Sequence, residues 1–174
     1  PDQRNYGNND VQGPDADHGT HVAGIIGAVR NNGVGMDGIA DNVKIMMVRA
    51  VPDGDEHDKD IALAIRYAVD NGAKVINMSF GKSFSPHKEW IDEAVDYANS
   101  KGVLLVHAAG NDHKNIDSTD NFPNNIMLAS HKWAPNWITV GASSGTDGVT
   151  AYFSNYGKEQ VDVFAPGASI YATF

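Results

Sequence analysis

The chain has no cysteine, which excludes disulfides, thiolate metal sites and a cysteine nucleophile while leaving its redox compartment open. Basic residues are few: 13 Lys and Arg face 22 Asp and Glu, giving a formal charge of -9 and a pI near 5.0. Binding a nucleic acid needs clustered Lys and Arg, so no such partner is expected. No apolar run reaches the roughly 18 residues that span a bilayer, and no membrane span is expected. No signal-peptide pattern heads the chain, which begins at Pro1; a targeting segment removed ahead of that residue stays open. Repeats and low-complexity tracts are also missing, so neither a solenoid nor a disordered tail is indicated.

What is present is enough for a core. With 174 residues, 41% of them apolar, the chain reads as one domain over residues 1–174. Short β-rich runs alternate with helical patterns at the spacing of parallel βαβ units, an α/β arrangement. Val43 to Val51, Lys74 to Phe80, Gly102 to Ala109 and Trp137 to Ala142 are nearly continuous apolar runs, as expected for strands covered on both faces. Ile61, Ala64, Ile65, Ala68 and Val69 recur at helical spacing after Asp58-Lys59-Asp60, and Asn71-Gly72 stops that helix. In the next helix Ser85 is the expected cap, with Pro86 in the first turn. Trp90, Ile91, Ala94, Val95 and Ala98 form its inward stripe, and Gly102 ends it. The acidic tract from Pro52 to Asp60 lacks apolar periodicity, so its carboxylates are expected to face water, with calcium ligation as the alternative. Residues 111–136 form a longer connection rich in Asn, Asp and Pro, placed to rim a cleft.

Three segments carry the chemistry. His18-Gly19-Thr20-His21-Val22-Ala23-Gly24 sets a histidine at the entry to a helix of small residues. Ala108-Ala109-Gly110-Asn111 follows an apolar strand, and Val161-Asp162-Val163-Phe164-Ala165-Pro166-Gly167 lies further on. In order and spacing these resemble the histidine, oxyanion-asparagine and pre-serine segments of subtilisin-like serine proteases, and the resemblance runs from about Asp17 to Thr173. It implies a three-layer αβα fold around a mostly parallel sheet, truncated at both ends, and a serine endopeptidase acting on peptide or protein substrates through an acyl-enzyme. A serine nucleophile needs a base, a carboxylate orienting that base, and donors for the oxyanion. The resemblance gives His18 the base role and Asn111 the donor role.

The resemblance assigns further residues. Ser79, Phe80 and Gly81 stand where the family has Ser-Leu-Gly, a strand end that pairs with substrate and walls its pocket together with Ala108, Ala109 and Gly110; Phe80 changes that wall. Asn31 to Gly38 resembles a calcium loop, with Asn32, Val34 and Met36 at the ligand positions and other ligands coming from segments upstream of Pro1. The resemblance requires no cofactor and allows a structural calcium at that loop. Secretion or a cell-envelope location follows from the resemblance alone.

Two family motifs are missing. Neither Asp-Thr/Ser-Gly nor Gly-Thr-Ser-Met-Ala occurs. Asp10, Asp15 and Asp17 precede His18 but follow no apolar strand, and Ser169 lacks the nucleophile context. The chain therefore reads as an internal portion of such an enzyme, inactive alone, and its uncovered apolar surface leads to an expectation of self-association. A pseudoprotease or peptide-binding module without catalysis is the alternative. Another reading makes Asp17, His18 and His21 a hydrolytic metal site, although no His-Glu-x-x-His pattern supports it.

Overall fold

A computed structural model describes residues 7–51, 53–145 and 148–174. Two compact units form, one from the N-terminal stretch up to Arg49 with Tyr171–Phe174, the other from Ala50–Ile170. Each is described by itself.

In the first unit, α1 (Asp17–Gly27) follows Ala16, and Asp15 Oδ1 accepts the Asp17 N–H at 2.9 Å. Its glycines face close neighbours. A β-carbon on Gly24 would fall 1.9 Å from Thr173 Oγ1, and one on Gly27 would fall 3.0 Å from Val43 Cγ2. The Thr173 hydroxyl donates to the Thr20 carbonyl at 2.7 Å, tying the last residues to the helix. The apolar run from Val43 to Val51 was expected to be a strand, yet among the described residues it joins no ladder. Its backbone finds no strand beside it, and Val43, Ile45, Met46 and Met47 remain exposed.

Among the described residues, the second unit holds a five-stranded sheet and two helices, α2 (Asp58–Asp70) and α3 (Lys88–Ser100). Strands β1 (Val75–Met78), β2 (Leu104–Ala108), β3 (Trp137–Ser144) and β5 (Val163–Pro166) pair in parallel, β1 with β2, and β3 with both β2 and β5. Only β4 (Val149–Thr150) runs antiparallel, against the end of β3. This is the α/β, mostly parallel arrangement that the alternating pattern predicted. In register, Leu105 lies beside Ile76 and Trp137, and His107 beside Met78 and Thr139.

Those residues share one sheet face, and α2 and α3 cover it. Ile61, Ile65, Ile91, Ala94, Val95, Ala98, Leu105 and Trp137 form the core. The opposite face differs from the expectation of double coverage: Val75 is 57% exposed and Val163 49%. Asn71 and Gly72 end α2 as predicted, with Gly72 at φ 88°. Two expectations fail nearby. Ser85 does not cap α3; His87 occupies the cap position, while the Ser85 hydroxyl donates to Asp58 Oδ1 at 3.0 Å. Trp90 turns outward, stacking on His87 with ring centroids 4.0 Å apart.

The acidic tract is also less exposed than expected. Pro52 lies outside the described residues, but Glu56 and Asp58 are buried. Asp58 pairs with Lys82 Nζ at 2.6 Å and accepts the His87 N–H at 2.8 Å. Burial works to raise its pKa, and the bonds from Lys82, His87 and Ser85 outweigh it, leaving the carboxyl below its ordinary range. No helix among the described residues is long and apolar enough to cross a membrane.

Candidate functional site

Parallel strands expose their carboxyl ends along one sheet edge, where the chain turns into loops that can meet a ligand. Here β1 runs into Ser79-Phe80-Gly81, β2 into Ala109-Gly110-Asn111 and β5 into Gly167. A shallow cavity of about 170 Å³ opens there, lined by residues 108–111, 140–142 and 165–167. Its lining is almost wholly Ala, Gly, Pro and Val. Such residues leave backbone accessible at close range.

The structure brings the expected wall residues together. His107, buried within β2, points Nε2 at the Phe80 carbonyl, 2.8 Å away, so the strand that carries Gly110 holds the strand end that carries Gly81. Burial pushes the His107 pKa down to about 4, against the opposing pull of that carbonyl, and the imidazole is neutral near neutral pH. As a neutral ring bonded to a carbonyl, it carries its proton on Nε2. Phe80 is half-buried and meets the His107 ring edge-on at 6.2 Å. Asn77 Nδ2 donates to Ser79 Oγ at 2.8 Å.

Asn121 joins the two wall segments. Its Nδ2 donates to the Ala109 carbonyl at 3.2 Å. Its Oδ1 would lie 3.5 Å from a β-carbon on Gly81 and 3.8 Å from one on Gly110. The expected rim, residues 111–136, carries no helix or strand. It is fixed instead by single contacts, among them the Lys82–Phe122 bridge and a bond from the Leu128 N–H to Asp92 Oδ2 at 2.8 Å. Asp117 accepts backbone N–H groups of Lys158, Glu159 and Gln160. Burial works to raise its pKa and those three donors outweigh it.

Asn111 is exposed, and among the described residues its side-chain amide has no hydrogen-bond partner. The backbone on both sides of it is held. Gly110, at φ 102°, adopts a conformation that only glycine takes without strain. Asn155 bonds to the backbone before and after Asn111, a contact that no sequence pattern announced. His107 was legible as a polar residue inside an apolar run, but its partner was not.

The remaining expected residues belong to the first unit. His18 is exposed in the opening turn of α1, and His21, one turn on, is half-buried. The small residues after His18 allow close approach, since a β-carbon on Gly19 would sit 3.0 Å from Met47 Cε. Among the described residues no three His, Cys, Asp or Glu side chains gather as a metal site, which overturns the reading of Asp17, His18 and His21 as a hydrolytic centre. In the glycine-rich loop, Asn32 Oδ1 accepts the Val34 N–H at 2.9 Å, and Met36 is half-buried.

A second cavity, about 470 Å³, was not anticipated from sequence. It opens between the starts of α2 and α3, lined by Glu56, Asp58, Lys82, Phe84, His87 and Trp90 among others.

These features define an α/β scaffold with small-residue loops open at the carboxyl edge of a mostly parallel sheet. The chain belongs to the subtilase family, whose profile matches residues 1–173. It is 46% identical over 157 residues to a thermophilic serine proteinase of Bacillus sp. (strain AK1), covering 90% of this chain and 35% of that protein. To a cell wall-associated protease of Bacillus subtilis (strain 168) it is 43% identical, covering 94% of this chain and 17% of the relative. A solved protease of Pseudoalteromonas arctica PAMC 21717 superposes with a TM-score of 0.73 at 38% identity, over 86% of this chain and 43% of that one. The chain thus spans less than half the length of each of these three proteins.

Proposed function

We propose that this chain is the histidine- and asparagine-bearing portion of a subtilisin-like serine endopeptidase that cleaves peptide bonds through an acyl-enzyme. The observation that carries the reading is Asn111: an unengaged amide on a loop held from both sides, at the carboxyl edge of a parallel sheet and beside the Ser79–Gly81 strand end. A substrate carbonyl entering there meets a donor that needs no rearrangement as charge grows on the oxygen. His18 serves as general base toward the serine and then as general acid toward the leaving amine. Backbone of Ser79–Gly81 and Ala108–Gly110 pairs with the substrate chain.

The nucleophile and the orienting carboxylate are assigned to residues outside these 174, since no Gly-Thr-Ser-Met-Ala or Asp-Thr/Ser-Gly occurs in them. Secretion or a cell-envelope location is proposed from the kinship with a cell wall-associated protease. Calcium in the loop at Asn32 would draw on Asn32 Oδ1 and the Val34 and Met36 carbonyls. Three neutral oxygens fall short of the six to eight that calcium takes, so further ligands are required.

In the protein that carries this chain together with its serine segment, Asn111→Ala should lower kcat about 10²–10³-fold with little change in KM, a size taken over from a subtilisin. His18→Ala should abolish turnover. The isolated chain should stay unlabelled by a fluorophosphonate. Turnover absent from the whole protein, with peptide binding intact, would instead identify a peptide-binding module.

A further inference from the structure

Asn155 is 1% exposed and lies far along the chain from Asn111, yet its bonds converge on the loop that carries Asn111. Its Nδ2 donates to the Ala109 carbonyl at 2.8 Å, and its backbone N–H donates to the Gly110 carbonyl at 2.8 Å. On the other side of Asn111, its Oδ1 accepts the Asp112 N–H at 2.9 Å and the Lys114 N–H at 3.0 Å. One residue thus fixes the backbone at positions 109, 110, 112 and 114. Position 111 is left with its amide free.

Two features show that the clamp is rigid. A β-carbon on Gly110 would lie 2.3 Å from Asn155 Nδ2, so the loop and the clamp meet at a distance that only glycine permits. Asn155 is itself anchored to the sheet through Ser154, which is fully buried. The Ser154 hydroxyl accepts the Ala142 N–H of β3 at 2.9 Å and donates to the Asn155 carbonyl at 2.8 Å. The line from β3 through Ser154 and Asn155 to the loop is made of hydrogen bonds of 2.8 to 3.0 Å.

We propose that Asn155 is a positioning residue that sets the orientation of Asn111 toward the developing oxyanion. The inference rests on the role given to Asn111 above. An oxyanion donor is effective because it is oriented before reaction; released from its clamp, the loop would spend that advantage on reordering itself in the transition state.

The test is a double-mutant cycle in the active protein that contains this chain. Asn155→Ala should lower kcat at least tenfold and change KM by a smaller factor, the KM change reflecting the backbone at 109 and 110 that pairs with substrate. In an Asn111→Ala background the same change should lower kcat by less than twofold, because no oxyanion donor remains to be positioned. An equal loss in both backgrounds, or a wild-type kcat in Asn155→Ala, overturns the inference while leaving Asn111 its role. A wild-type kcat in Asn111→Ala removes the catalytic reading, and the inference with it. Should Asn155→Ala fail to fold, Ser154→Ala frees only the anchor of the Asn155 backbone; the same cycle should show the same non-additive pattern, smaller in size, and an additive one refutes the proposal.

Discussion

Gly110 shows how little freedom the site allows a single residue. At φ 102° any L side chain carries strain of about 1–3 kcal/mol, and a methyl group there would fall 2.3 Å from Asn155 Nδ2. The neighbour is buried and bonded on several sides, so it cannot retreat without breaking its contacts. Gly110→Ala should therefore lower the stability of this chain by more than about 2 kcal/mol, read as a fall in urea midpoint at unchanged slope. A midpoint equal to wild type would mean that the loop relaxes freely, contrary to the clamp. The position of Asn111, after a glycine and two alanines at the end of an apolar run, was legible in the sequence, while the donor role proposed for it comes from the family resemblance. Asn155 was not legible, since its bond to Asp112 crosses 43 positions and nothing in a linear pattern links the two.

Among the elements, α2 and α3 were legible nearly to their ends because each buries a stripe at helical spacing. What the period could not supply was how their starts are joined. The Asp58 carboxylate, at the first residue of α2, receives Lys82 Nζ, the Ser85 hydroxyl and the N–H of His87, the cap residue of α3. Ser85 has the composition of a helix cap, and its hydroxyl is spent on this carboxylate instead. The acidic tract misleads for the same reason: its charge suggests water, but the cation that neutralises Asp58 comes from a distant loop. Both side chains of the pair are largely buried, at 10% and 2% exposure. Removing one partner strands the other, at a cost of about 3–5 kcal/mol. Lys82→Met should accordingly destabilise this chain by about that much in urea denaturation, and Lys82→Met with Asp58→Asn should recover a substantial part. A single variant as stable as wild type would show that the pair is solvated and that its burial is not what orders the two helix starts. The run from Val43 to Val51 failed as a strand for a complementary reason. Apolar β-formers specify an extended chain, but a strand also needs a neighbour to bond.

For the whole molecule, the sequence conveyed the α/β class and the mostly parallel sheet, because those follow from alternation repeated along the chain. It did not convey contacts between distant segments such as Thr173 with Thr20. Nor did it convey how acid should act on the fold. Burial holds the His107 pKa at about 4 in the folded chain, while the unfolded imidazole takes up its proton near 6.5. The stability owed to the neutral ring is therefore fully present above pH 6.5. It drains away as the pH falls toward 4, below which both states are protonated and this group adds no further slope. A gap of that width corresponds to about 3 kcal/mol. Asp58 and Asp117 have the same sign at lower pH: each carboxyl is held below 3.8, so its contribution is present above that value and is lost only as the pH falls further. Acid should consequently weaken the chain in two stages, a histidine stage and then a carboxylate stage. His107→Gln, which retains an N–H donor for the Phe80 carbonyl but cannot ionise, should remove the first stage and keep the second. Urea midpoints measured from pH 7.5 to 3 on both proteins decide the matter: the two curves should converge in shape below pH 4 and differ in slope between 4 and 6.5. Parallel curves across that interval would show that His107 takes up its proton equally in the folded and unfolded chain, and that the link between β2 and the Phe80 carbonyl is not sealed from water.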